Sequence, residues 1–95
     1  MSPEDVRRSR EEIDRLDAEL VRILNQRAAL ALELARLKQG LGWEIRDPER
    51  ERQVLLRAVD SNAGPFDHYG IRRIFRRIIC ESRRMEKELH KEDRA

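Results

Sequence analysis

Ninety-five residues suffice for one domain, and a chain this short buries a smaller share of its surface than a larger one, so burial against a partner is expected to matter. Charged residues make up 42%, hydrophobic residues 39% and aromatics 4%, with three prolines and four glycines, which points to an all-α protein of long, amphipathic helices. A net charge of +2 with patterned apolar residues argues against disorder, and so slight a basic excess does not call for nucleic acid.

The first helix is expected over about residues 3–39, since no Gly or Pro interrupts Glu4 to Gln39. Ser2 reads as its N-cap, Pro3 as its first helical residue and Gly40 as its stop. Glu4 and Asp5 suit the positive end of the helix dipole. At ~1.5 Å per residue the helix is roughly 55 Å long, well beyond the globular average. Its apolar stripe runs Ile13, Leu16, Leu20, Ile23, Leu30, Leu34 and Leu37 at spacings of three and four, with Arg27 filling the gap. Extending the stripe backwards meets Arg10 and then Val6, and extending it forwards from Leu34 meets Lys38. Three cations thus lie on or beside a face meant for burial.

"GLGWEIR" breaks the chain at residues 40–46, and a second helix follows over about 47–60. Asp47 is its expected N-cap and Pro48 its first residue. Val54, Leu55, Ala58 and Val59 form its inward face; Arg50 and Glu51 stand at the edge of that face, and Asp47 one turn before. "DSNAGPFD" is the next break. A third helix, about 67–91 with Asp67 as cap, carries Ile71, Phe75, Ile78, Ser82, Met85 and Leu89, flanked by Ile74 and Ile79. Ser82 interrupts that seam, and Glu86 follows four residues later on a neighbouring line. The whole chain, residues 1–95, is expected to be a single domain.

Any one arginine beside an apolar stripe can lay its stem along it and keep its head in water. A set drawn from all three helices is different, because burying that many charges is costly unless they serve one another or a ligand. The surplus is cationic: Arg10, Arg27, Lys38, Arg46 and Arg50 outnumber Asp47, Glu51 and Glu86. A small dicarboxylate gripped by arginines would balance it, with the acids reading hydroxyl groups. Arg27 and Lys38 are about 16 Å apart along the helix axis, within reach of one ligand, whereas Arg10 is about 25 Å from Arg27 and fits the equivalent site of an antiparallel partner. Reach and helix length both favour a homodimer with shared sites.

"REEIDRLDAELVRILNQR" (Arg10 to Arg27), "LARLK" ending at Lys38, "RDPERERQV" (residues 46–54) and "HYGIRRIFRRIICES" together resemble the all-helical class of chorismate mutases over nearly the whole chain. The resemblance implies an intertwined homodimeric helical bundle of three-helix subunits, each with a very long first helix, that converts chorismate to prephenate for phenylalanine and tyrosine biosynthesis. It assigns the substrate's two carboxylates to Arg27 and the partner's Arg10, and a carboxylate with the breaking ether oxygen to Lys38. Arg46, Asp47 and Arg50 would form the loop side of the pocket; Glu51 would receive the ring hydroxyl and Ser82 sit beside a carboxylate. Some members carry glutamine where this chain has Glu86. A glutamate donates a hydrogen bond only when protonated, and burial beside an anionic substrate favours that form. No cofactor or metal is implied, and one cysteine, Cys80, leaves no internal disulfide and no Cys/His metal cluster.

Two alternatives compete. An isochorismate pyruvate lyase shares the fold, but its branch lacks the acidic pair that reads here as Asp47 and Glu51. A basic helical binding module would use Arg72, Arg73, Arg76, Arg77, Arg83 and Arg84 on the outer side of the third helix. Scarce aromatics oppose single-stranded nucleic-acid binding by stacking. No apolar run nears the ~20 residues of a membrane span, and "MSPEDVRRSREE" does not resemble a signal peptide, so a cytoplasmic setting without membrane is expected. No second domain or linker is visible, which favours a free-standing enzyme, although modules of this class also occur fused to other aromatic-pathway enzymes and some depend on such an enzyme as a separate partner.

Overall fold

A computed structural model describes residues 1–94. It contains α1 (Pro3–Gly40), α2 (Pro48–Asp60) and α3 (His68–Arg94), and no strand among the described residues. The chain divides into two compact units, Met1–Leu30 and Ala31–Ala95.

The first unit is the amino-terminal part of α1. Ser2 caps it: its Oγ accepts from the Asp5 backbone N–H at 3.2 Å, and the Asp5 carboxylate accepts from the Ser2 backbone N–H at 3.0 Å. This reciprocal pair satisfies two donors that a helix start leaves without partners. The polar face is laced by ion pairs one turn apart, among them Arg7 with Glu4 and Glu11, Arg15 with Glu12, and Arg22 with Glu19. The apolar face is open to solvent: Ile13 and Leu16 are each 55% exposed and Leu30 is 66% exposed.

In the second unit the chain reverses two residues past the predicted stop of α1. Gly40 is still helical, and the left-handed residue that turns the chain is Gly42, at φ 72°. The Trp43 N–H bonds the Lys38 carbonyl at 2.9 Å and the Gly42 N–H bonds the Gln39 carbonyl at 3.1 Å, the paired C-terminal bonds that need a residue without a Cβ penalty at position 42. Asp47 caps α2 as expected, accepting from the Arg50 N–H at 3.0 Å ahead of Pro48. Asp67 caps α3, accepting from the Gly70 N–H at 2.6 Å. A Cβ on Gly70 would stand 3.0 Å from that same Asp67 oxygen, so glycine there lets the cap close tightly.

α2 and α3 pack against each other. The expected inward residues of α2 (Val54, Leu55, Ala58, Val59) are half-buried, as are Ile71, Phe75, Ile78, Ser82 and Met85 of α3. Ile79 and Leu89 are buried outright, while the flanking Ile74 remains 42% exposed. In this unit's part of α1, Ala35 is 1% exposed, but Leu34 and Leu37 lie open. Among the described residues no helix is long and apolar enough to cross a membrane.

Replacing Asp67 with alanine removes the α3 cap and is expected to cost roughly 1 kcal/mol. Thermal unfolding at fixed protein concentration should show a midpoint lower by about 4–8 °C.

Candidate active site

The polar residues singled out in the sequence fall into two groups. Arg10 and Arg27 belong to the first unit, Arg10 exposed and Arg27 half-buried on α1. Lys38, Arg46, Asp47, Arg50, Glu51, Ser82 and Glu86 belong to the second, where contacts link several of them.

Lys38 lies in the last turn of α1, and its ammonium donates to the Ile45 carbonyl at 3.0 Å. The carbonyl belongs to the loop before α2, so one of the three N–H donors of Lys38 holds this loop to the helix end. Arg46 and Asp47 follow in that loop, and both are exposed. The Arg46 guanidinium stands 4.0 Å from the Glu51 carboxylate, while the Asp47 side chain is engaged in capping α2. Arg50, in the first turn of α2, is exposed to solvent.

Glu51 is the junction. Its side chain is 19% exposed, and both its oxygens accept hydrogen bonds from Arg83 on α3: Nε donates to Oε2 at 2.5 Å and Nη2 donates to Oε1. This forked pair joins the two packed helices. The Arg83 guanidinium holds the Glu51 carboxyl below the usual glutamate range; partial burial opposes this, Arg46 assists it, and the neighbouring Asp47 opposes it weakly. Glu86, half-buried one turn along α3, lies within electrostatic reach of the same guanidinium. Ser82 and Glu86 are four residues apart on one helix face, and both are half-buried. A cleft of about 360 Å³ opens beside the pair, lined by Glu51 and Arg83 themselves together with Pro48, Leu55, Arg76 and Ile79.

Arg83 corrects the sequence reading. The sequence groups it with the outward-facing arginines of α3, yet it turns onto α2 and is only 36% exposed. Its spacing held the signal: it follows the buried Ile79 by four residues and precedes Glu86 by three, which puts it beside the packed face. The remaining basic face is partly neutralised in place, because Arg77 and Arg84 both pair with Glu81. Arg73 lies over the Tyr69 ring. Among the described residues no group of three or more His, Cys, Asp or Glu could hold a metal ion.

Taken together these features define an all-helical protein whose cationic and acidic side chains meet at a helix end, a loop and a helix pair. The model of the family "chorismate mutase type II" matches residues 9–87, and the chain belongs to that family. It is 30% identical over 81 residues to a chorismate mutase of Methanocaldococcus jannaschii, covering 83% of this chain and 81% of that one. It is 34% identical over 90 residues to a bifunctional chorismate mutase/prephenate dehydratase of Aquifex aeolicus, covering 90% of this chain but 25% of the relative's length. Among solved structures it is similar to chorismate mutase (form II) from Thermus thermophilus, with a TM-score of 0.84 and 35% identity over 87% of this chain and 94% of that one.

The Glu51–Arg83 pair has a pH signature. Arg83 lowers the folded-state pKa of Glu51, so the pair stabilises the fold above the ordinary glutamate pKa, and that contribution fades as pH falls through the folded value. With the Arg83 side chain 36% exposed, so that solvent screens the pair, Glu51→Gln is expected to cost roughly 1 kcal/mol at neutral pH. In urea unfolding the gap to wild type should begin to narrow below the ordinary glutamate pKa of about 4.3 and close below the lowered folded-state value. A gap that stays constant into acid would show that the loss is not electrostatic.

Proposed function

We propose that this chain is a chorismate mutase, converting chorismate to prephenate, and that it works as a homodimer. The observation that carries the reading is the family match over residues 9–87, which spans every proposed substrate contact from Arg10 to Glu86. The proposed reaction is an intramolecular Claisen rearrangement: the ether C–O bond breaks as a C–C bond forms. No proton transfer and no covalent intermediate are required. Catalysis then consists of holding the compact diaxial conformer and stabilising negative charge on the ether oxygen.

In the roles that family membership supports, Arg27 and the partner's Arg10 take the two carboxylates. Lys38 bonds a carboxylate and the ether oxygen, for which its ammonium has donors beyond the one given to Ile45. Arg46, Asp47 and Arg50 form the loop wall, with Ser82 beside a carboxylate. Glu51 accepts from the ring hydroxyl, a role that suits a carboxylate kept ionised by its neighbours. Glu86 donates to the ether oxygen in its protonated form. No cofactor enters this chemistry.

The dimer is supported by the uncovered apolar face of α1. Val6, Ile13, Leu16, Leu20, Ile23, Leu30, Leu34 and Leu37 are all exposed in the single chain. Full burial of an exposed side chain of this kind is worth about 1.5–3 kcal/mol, of which these half-exposed ones would gain a part. A second copy presenting the same face would bury this series on both sides. The proposed setting is the cytoplasm, whose reducing conditions keep the exposed Cys80 a thiol. The bifunctional relatives support a further proposal, that this domain acts next to an enzyme consuming prephenate.

The test is chorismate turnover by the purified protein across pH, beside Arg27→Ala and Glu86→Gln. Arg27→Ala is expected to lose roughly 10²–10³-fold or more in kcat, the scale of removing a preorganised donor at developing charge. Glu86→Gln should keep activity and flatten the fall with rising pH, because an amide donates at any pH. A Glu86→Gln enzyme that is nearly dead, or as pH-sensitive as wild type, would remove Glu86 from its role.

A further inference from the structure

The Glu51–Arg83 pair carries a consequence for the proposed reaction beyond its role in packing. Glu51 has two cations within reach, one tight and one loose. Arg83 donates two hydrogen bonds to it from α3, while Arg46 stands 4.0 Å away on the loop with its side chain 64% exposed. A carboxylate offers about four lone-pair directions, so a forked arginine leaves capacity for a substrate hydroxyl. Were Arg83 absent, Arg46 would be the nearest cation to Glu51 and would be drawn onto it, away from any anionic ligand.

We propose that Arg83 is a positioning residue: from the opposite helix it fixes the Glu51 carboxylate for the ring hydroxyl and, by satisfying that charge, leaves Arg46 to the substrate. The proposal rests on the chorismate mutase reading. Arg83 touches no substrate in this scheme and acts through Glu51. Its reach extends to Glu86, whose charge it also feels. One guanidinium therefore interacts with both the acceptor acid and the proposed donor acid. The charged groups facing Glu51 are Arg83 from α3 and Arg46 and Asp47 from the loop, and with Arg83 removed only the loose Arg46 would oppose Asp47.

The experiment is the pH profile of chorismate turnover for wild type, Arg83→Met and Arg83→Lys, each also placed in the Glu51→Gln background, with circular dichroism to verify folding. Arg83→Met is expected to lose roughly 10- to 100-fold in kcat/KM near neutral pH, the scale of a misplaced binding group. Its acid limb should move to higher pH, because the Glu51 carboxyl no longer has the neighbour that keeps it charged. Arg83→Lys keeps the charge without the fork, so the acid limb should return while the rate recovers only in part. In the Glu51→Gln background neither change at position 83 should alter the acid limb.

A folded Arg83→Met with the wild-type rate and profile overturns the proposal. An equal loss with or without the Glu51 carboxylate also overturns it, since Arg83 would then act through packing alone. Should Arg83→Met fail to fold, Arg83→Lys decides: a full wild-type rate, or an equal loss in the Glu51→Gln background, overturns the proposal, and a reduced rate whose deficit disappears in that background supports it. Absence of turnover in the wild type itself overturns the mutase reading and this proposal with it, an outcome distinct from an active wild type indifferent to position 83.

Discussion

The apolar face of α1 is the constraint on which the rest depends. A 38-residue helix with leucine or isoleucine at nearly every third or fourth position has far more to bury than this chain covers. The buried apolar side chains among the described residues are Ala35, Ile79 and Leu89, a small core for a protein of this length. The surface ion pairs along α1 help to hold helical geometry but do little to stabilise a fold. Most of the helix's stability must come from packing its apolar face, as it does for helices generally. The proposed homodimer would supply that cover with the partner's α1.

The second unit shows how charges can be tolerated near such a core. Several are engaged by a specific neighbour: Lys38 by the Ile45 carbonyl, Asp47 by the Arg50 N–H, Glu51 by Arg83. These links tie the end of α1 to the loop, the loop to α2, and α2 to α3. Polar groups held in this way are preorganised, which is what the proposed rearrangement demands. The enzyme is asked for geometry and fixed charge, with no base to abstract a proton.

Much of this is legible in the sequence because local rules govern it. Ser2, Asp47 and Asp67 announce the helix starts by their capping chemistry, and Pro48 fits the first helical turn after Asp47. The inward faces of α2 and α3 follow from spacing alone. The turn after α1 is harder to place because Gly40 and Gly42 offer the same freedom, and only the backbone bonds of Trp43 and Gly42 choose between them. Arg83 escapes the sequence for a tertiary reason. Six arginines on one helix look alike until it is known which of them α2 approaches, and Glu51 is the residue that makes the difference. The placing of Arg10 and Arg27 at a substrate comes from the family resemblance and is tested only by experiment.

In the proposed homodimer two copies of this chain share each site, with Arg27 from one and Arg10 from the other. Mixing Arg10→Ala protein with Arg27→Ala protein, each expected to be inactive on its own, tests it most directly. After subunit exchange, half of the dimers are mixed, and each mixed dimer has one site retaining both arginines. Recovery of about a quarter of wild-type activity per chain is expected, as follows from random pairing in a two-fold symmetric dimer. A mixture that exchanges subunits yet stays inactive would contradict shared sites.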